Sequence, residues 1–128
     1  VTDSLPATKV VIDNFKAGYD ATMHLIEQNC KSIMHITGNL TRNVYKDRYE
    51  GYRKALADRN IPFSEDLFIT NDLSEQEIYN AVTHNILKRK QLPDGLFATN
   101  DSAAAYALML FKEAGIRVPE DIAIVGFN

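Results

Sequence analysis

The chain has 128 residues, of which 45% are hydrophobic and 24% are charged. This length and apolar content are typical of one domain with a single packed core. Its 17 acidic residues outnumber its 14 basic residues and give a formal net charge of -3. Nucleic-acid-binding domains usually carry a basic excess, so we expect any contact with DNA to come from residues outside this chain.

Cysteine content and hydropathy predict a cytoplasmic protein that does not enter a membrane. Cys30 is the single cysteine, so no disulfide can form within the chain, which fits a reducing compartment. No apolar run approaches the roughly 18 residues that a membrane span requires, and no charged and then apolar leader opens the chain.

Taken in chain order, the sequence alternates helix-like and strand-like segments after a polar lead-in. Residues 10–12 could form a first strand, and Asp13 and Asn14 are interpreted as the N-cap pair of a helix. Short apolar runs rich in β-branched residues predict four buried strands. These strands are 33–37, 67–70, 96–99 and 122–125.

Helical periodicity fills the intervals around the strands. Apolar residues recur every three or four positions in four stretches. Representative residues are Gly18, Thr22, Leu25; Tyr52, Ala55, Leu56; Ile78, Val82, Ile86; and Ala104, Leu108, Phe111. Ser74 with Glu77 predicts a capping box, and Gly115 a left-handed helix end. The alternation predicts an α/β fold, namely a parallel, doubly wound, three-layer αβα sheet.

Each predicted strand is followed by polar or aromatic residues. Ligands of open α/β sheets bind beyond the carboxyl ends of the strands. The residues found there are Gly38, Asn39, Thr41, Arg42, Asn43, Arg48; Asn71, Asp72; Asn100, Asp101, Ser102; and Gly126, Phe127, Asn128. Arginines and amides can bind hydroxyl pairs or anions, which suits a small polar ligand such as a sugar or nucleobase. Alternatively, Asn71, Asp72 and Asp101 serve only as helix caps or turn residues.

Catalytic and metal chemistry find little support in the sequence, and we expect no enzyme activity, cofactor or metal. The glycines never stand two apart, so both the dinucleotide-binding and the P-loop patterns are missing. His24, His35 and His84 lack metal-ligand spacing, and Cys30 has no nearby histidine. We interpret His35 as a core histidine, and the other two as surface residues. The alternative is a phospho-receiver or a small enzyme built on Asp13 and Asp101.

Arg48 and Gly51 are the unusual residues of the second predicted helix. An arginine in the first turn of a helix opposes the helix dipole, so a ligand or the neighbouring Asp47 would have to compensate it. The alternative is a salt-bridged surface arginine. Gly51 has no Cβ atom, which would let this helix approach the sheet closely.

An ordered set of motifs over nearly the whole chain resembles the regulatory domain of LacI/GalR transcription factors, which share their fold with periplasmic sugar-binding proteins. The matching segments are VIDN (11–14), GY (18–19), HLI (24–26), Arg48, GY (51–52), AL (55–56), ATND (98–101) with Ala104, and GIRVPEDIAIVGF (115–127). The resemblance implies a periplasmic-binding-protein-like type I fold of two hinged subdomains. Residues 13–128 look like the C-terminal effector-binding subdomain, and 1–12 like the crossover from a missing N-terminal one.

The resemblance also implies roles for individual residues. Arg48 looks like an effector-gripping arginine, Asn100 like a hydroxyl-binding amide, and Arg42 like an effector contact of purine-type members. Leu73 stands where an aromatic ring often stacks on the ligand, and Asn128 where an aspartate commonly binds it. These two departures leave the effector class open.

The fourth predicted helix resembles the family's subunit-pairing helix. Its residues Ala104, Ala105 and Leu108 would then form a dimer interface, the alternative being sheet-facing core. The resemblance implies an effector-binding and dimerisation module of a bacterial repressor, with DNA bound only through a headpiece absent from this chain. The alternative is a fragment of a periplasmic sugar receptor of a transport system.

Overall fold

The computed structural model describes residues 12–127, and it consists of alternating helices and parallel strands. The helices are α1 (Asn14–Glu27), α2 (Asn43–Asp58), α3 (Glu75–Asn80) and α4 (Asp101–Glu113). The strands are β1 (Ile33–Thr37), β2 (Phe68–Thr70), β3 (Gly95–Ala98) and β4 (Ala123–Val125). A single 3-10 turn (Glu65–Leu67) precedes β2, and a π-helical turn (Ala81–Ile86) continues α3.

The four strands form one parallel sheet in the order β2-β1-β3-β4. Helices α1 and α2 pack together on one face, and α3 and α4 pack together on the other. The predicted doubly wound, three-layer α/β fold is confirmed. The predicted strand at 10–12 lies outside the described residues except for Ile12, which is not in a strand.

Alternation along β1 divides the core into two halves. Met34 and Ile36 face α3 and α4, whereas Ile33 belongs to the core beneath α1 and α2. His35, on the same face as Ile33, is buried against the ring of Tyr52 from α2. Side chains of successive strand residues point to opposite faces, so this helix-covered sheet needs apolar residues at nearly every position.

Local sequence signals define the helix ends, with one departure from prediction at the start of α3. Asp13 caps α1, since its side chain accepts a hydrogen bond from the Lys16 amide at 2.9 Å. The Ser74 hydroxyl accepts from the Glu77 amide at 3.2 Å at the start of α3, which is one half of the predicted capping box. The other half is replaced, because the Ser74 amide donates to Asp72 Oδ1 at 2.9 Å and not to Glu77. Gly115 follows α4 with φ +80, the left-handed conformation that glycine adopts without strain.

Candidate functional site

Arg48 of α2 makes buried contacts with three other parts of the chain. Its Nε atom donates to Asn14 Oδ1 at 3.0 Å, and its Nη1 atom donates to the Thr99 carbonyl at 2.6 Å. The centre of the Phe127 ring lies 4.7 Å from the guanidinium carbon of Arg48. Residues from α1, α2, the end of β3 and the end of β4 therefore meet at one point, which we name the Arg48 cluster (Asn14, Arg48, Thr99 and Phe127).

The structure corrects two expectations about Arg48. It is the sixth residue of α2 and not a first-turn residue, so it lies away from the unfavourable helix terminus. It is only 6% exposed rather than a salt-bridged surface arginine. Among residues 12–127, no carboxylate forms an ion pair with it.

The Arg48 charge is matched by neutral groups in the described part of the chain. An amide oxygen and a carbonyl oxygen accept its hydrogen bonds, and an aromatic face lies against it. Burial lowers the pKa of the Arg48 guanidinium below its ordinary value, yet an arginine side chain stays protonated in proteins. The cluster thus holds a positive charge that can attract a ligand oxygen.

Asn100 and Asp101 lie beside the Arg48 cluster, where both stabilise the start of α4. The Asn100 side chain caps α4, accepting from the Ala103 amide at 2.8 Å. This fixes its Oδ1 atom and leaves its NH2 group as the donor for a ligand. Asp101 is exposed in the first turn of α4, and its amide donates to the Phe127 carbonyl at 2.9 Å. That bond joins the end of β4 to the start of α4.

Arg42 and Leu73 lie on other loops of the same sheet edge. Arg42 is exposed at the N-cap of α2, where its guanidinium carbon lies 5.7 Å from the centre of the Tyr45 ring. Leu73 has φ +62 and is half-buried against the core beneath α3 and α4. Neither contributes to the Arg48 cluster. Asn128 lies outside the described residues.

An open depression of about 550 Å³ lies between the loops that follow β1 and β2. Its lining residues are Asn39, Leu40, Thr70, Asn71 and Asp72. Asn71 and Asp72 accept hydrogen bonds from the amides of Leu73 and Ser74, at 2.8 and 2.9 Å, as expected of turn residues. The depression widens the polar edge, and its floor is made of residues that also hold the turns.

The outer face of α4 carries part of the predicted dimer surface. Ala105 is exposed and Leu108 is half-buried, whereas Ala104 packs against the core. Met109 adds a further apolar side chain that is 43% exposed. The exposed part of this surface is therefore formed by Ala105, Leu108 and Met109, which we name the α4 stripe.

Sequence reasoning missed the roles of Asn14 and Thr99. Asn14 was interpreted as part of a cap, although Asp13 alone provides the capping oxygen. Thr99 acts through its carbonyl oxygen, a group that every residue has. The available signal was the pair Gly18 and Gly51, which the sequence places on the two helices that meet at Arg48.

The fold and the sequence both match a known family. A family model described as a periplasmic binding protein-like domain matches residues 22–128. The chain belongs to this family. Within residues 12–127, no helix is long and apolar enough to cross a membrane, and no cluster of three or more potential metal ligands is present in that region.

Relatives of this periplasmic binding protein-like domain include named transcriptional repressors. The chain is 39% identical over 122 residues to the HTH-type transcriptional repressor PurR of Photorhabdus laumondii, covering 94% of this chain and 36% of that protein. It is 38% identical to PurR of Yersinia pestis, with the same coverage. The chain thus spans about a third of the length of these repressors.

Solved structures of transcriptional regulators, two of them described as LacI regulators, share the fold of this domain. A LacI regulator from Bacillus cereus has a TM-score of 0.85 at 29% identity, with 91% of this chain and 41% of that chain covered. The regulator CelR, in a cellobiose complex, has a TM-score of 0.82 at 32% identity, with 90% and 35% covered. An Escherichia coli LacI-family sugar-binding regulator, in complex with phosphate, has a TM-score of 0.83 at 26% identity, with 93% and 42% covered.

Proposed function

We propose that the chain is the effector-binding and dimerisation module of a LacI-type bacterial transcriptional repressor, acting in the cytoplasm without enzyme activity. The observation that carries the proposal is the Arg48 cluster, where a buried cation lies at the ligand-binding edge of the sheet. The family relationship supports the regulatory role, since the relatives are repressors and LacI-family regulators. These names favour a repressor over a transport receptor.

The effector that suits this edge is a small polar molecule with adjacent oxygen atoms. A guanidinium fork binds a hydroxyl pair, a carboxylate or a phosphate in one plane. The Asn100 NH2 group can donate to another ligand oxygen. A sugar or a sugar phosphate meets these requirements. The buried positive charge of Arg48 favours an anionic effector.

Effector binding would act through the angle between two subdomains. The described residues form one side of a cleft, and we propose that a second subdomain closes over the Arg48 cluster. A ligand that contacts both subdomains stabilises one angle between them over another. The size of this shift is set by the difference in the ligand's affinity for the two angles. This difference would alter the spacing of the DNA-binding headpieces, which lie outside this chain.

The α4 stripe is the dimerisation surface in this proposal. Ala105 and Met109 are exposed side chains on one face of a regular helix. Two copies of such a helix can pack around a twofold axis, because the same apolar patch then covers itself. A dimer would carry two headpieces and two effector sites.

Replacing Arg48 tests the effector role. In the two-subdomain protein that this proposal implies, thermal-shift screening against sugars, sugar phosphates and purines identifies the effector. We expect Arg48→Ala to weaken its binding about a hundredfold or more, because hydrogen bonds to a charged group contribute about 1.5–3 kcal/mol each. Isothermal titration calorimetry measures the loss.

Two control variants keep this test interpretable. Arg48→Lys keeps the charge and removes the planar fork, so it should bind with intermediate affinity. The exposed Arg59 lies at the end of α2, and Arg59→Ala should bind like the unmodified protein. Unchanged effector affinity in Arg48→Ala, with a normal circular dichroism spectrum, would refute the proposed role.

A further inference from the structure

Asn14 is the first residue of α1, and its side chain is directed to Arg48 rather than to its own helix. Its Oδ1 atom accepts from Arg48 Nε at 3.0 Å across 34 positions of sequence. The capping bond of α1 comes from Asp13, whose Oδ1 accepts from the Lys16 amide. The asparagine amide is therefore not needed to cap the helix, and its contact with Arg48 requires another explanation.

Two glycines allow α1 to lie close enough to α2 for this contact. A Cβ atom at Gly18 would overlap the carbonyl oxygen of Arg48, and one at Gly51 would overlap the carbonyl oxygen of Phe15. The two backbones are therefore in direct contact, one helical turn from Asn14. Side chains at these positions would move α1 away and take the Asn14 oxygen out of reach of Arg48.

The guanidinium is held on three sides within the described residues. Asn14 holds the Nε–H edge, the Thr99 carbonyl holds Nη1, and the Phe127 ring lies 4.7 Å away. An arginine has five N–H donors, so these two bonds leave three for other acceptors. The hydrogen bonds of Nε and Nη1 fix the plane of the guanidinium, in which the three remaining N–H donors lie.

We infer that Asn14 is a positioning residue, which fixes the plane of the Arg48 guanidinium so that its remaining N–H groups form a fork for two neighbouring ligand oxygens. This inference rests on the proposed effector role of Arg48. An amide is suited to the task because it accepts a hydrogen bond without carrying charge. An aspartate would orient the guanidinium equally well but would neutralise the charge that attracts an anionic ligand.

Nuclear magnetic resonance of the Arg48 Nε–H group tests this inference on the full chain. Arg48→Lys assigns the signal, and inorganic phosphate and D-glucose serve as probes. We expect Asn14→Ala to accelerate solvent exchange of the Nε proton about tenfold and to weaken the phosphate response of the signal about tenfold. Asn14→Asp should keep slow exchange but lose the phosphate response.

Asn43→Ala is the matched control, since Asn43 is the exposed first residue of α2. It should change neither exchange nor the phosphate response. If Asn14→Ala accelerates exchange but phosphate binds as before, the positioning inference is wrong and the effector role of Arg48 stands. If neither probe shifts the signal in the unmodified chain, the remaining N–H groups form no fork for ligand oxygens and the positioning inference is wrong, whereas the effector role is decided separately by calorimetry of Arg48→Ala in the two-subdomain protein. Equal effects of Asn43→Ala and Asn14→Ala would also overturn the inference.

Discussion

A buried guanidinium destabilises a fold unless its N–H groups and its charge are matched. At Arg48 the described partners match two N–H groups with neutral oxygens, and the Phe127 ring faces the charge. The sequence identified Arg48 as a candidate because it follows β1. It could not reveal the partners, because Asn14 and Thr99 are distant in sequence and their types are common at helix ends and strand ends.

His35 presents the opposite case, a titratable residue kept neutral inside the core. It is fully buried, and its Nδ1 atom lies 2.9 Å from the Phe97 carbonyl. The Phe97 and Tyr52 rings lie 4.4 and 4.8 Å from its own ring. Its Nε2 atom has no hydrogen-bond partner among residues 12–127. Burial lowers the pKa of His35 to about 4, although the Phe97 hydrogen bond opposes this shift. The interpretation as a core histidine is confirmed.

Acid should unfold the chain partly through His35. In the unfolded chain a histidine has a pKa of about 6.5, so between pH 6.5 and 4 the unfolded state binds the proton more readily. The contribution of neutral His35 to stability is therefore complete above pH 6.5 and is lost as pH falls towards 4. The loss amounts to at most about 3 kcal/mol, and urea unfolding at a series of pH values measures it.

Two variants separate His35 from the other titrating groups. His35→Phe removes the ionisation and keeps an aromatic ring, so its stability should depend less on pH between 4 and 6.5 than that of the unmodified chain. Phe15→Leu replaces an exposed aromatic ring that has no ionisable group, so its stability should depend on pH as that of the unmodified chain does. An identical pH profile in the unmodified chain and His35→Phe would contradict the argument.

At the scale of the elements, hydrophobic periodicity predicted the helices and strands well. The observed β1 has the predicted bounds, β2 and β4 each begin one residue later than predicted, and β3 begins and ends one residue earlier. The stretch with apolar residues at 78, 82 and 86 was predicted as one helix, but its second half is π-helical. Apolar residues spaced four apart fit a π-helical turn as well as an α-helical turn, so the hydrophobic pattern alone could not distinguish the two.

The prediction that Gly51 lets α2 approach the sheet is wrong, because Gly51 lies against the backbone of α1. The contact between α1 and α2 depends on the absence of a side chain at Gly51. We expect Gly51→Ala to destabilise the chain by about 1–3 kcal/mol, because the new Cβ atom would overlap backbone atoms of α1. By helix propensity alone, alanine would stabilise α2 by about 1 kcal/mol relative to glycine. A decrease in the free energy of unfolding would therefore indicate the steric overlap with α1, and an increase would indicate helix propensity. Chemical denaturation measures the free energy of unfolding.

Glu50→Ala provides the comparison within the same helix. Glu50 is exposed and adjacent to Gly51, so its replacement should change the free energy of unfolding by no more than about 0.5 kcal/mol. Should Gly51→Ala stabilise the chain instead, the close approach of the two helices would not be required for the fold.

On the scale of the whole molecule, the parallel sheet explains why one edge holds the candidate site. All four strands run in the same direction, so the loops after them lie at the same edge. The sequence predicted this convergence, and the structure brings Arg48 together with Thr99 and Phe127. Arg42 and Leu73 remain apart from that cluster, because loop conformation, unlike strand direction, does not follow from hydrophobic periodicity.

The α4 stripe leads to a prediction about assembly. We expect the chain to self-associate at high concentration, and we expect Ala105→Lys to weaken the association about tenfold or more, because two lysines would face each other near a twofold axis. Sedimentation velocity at several concentrations measures the dissociation constant. Ala57→Lys is the matched control, since Ala57 is an exposed alanine of α2 in the opposite helical layer. A monomer at every concentration, or equal effects of both variants, would show that the α4 stripe is not the interface.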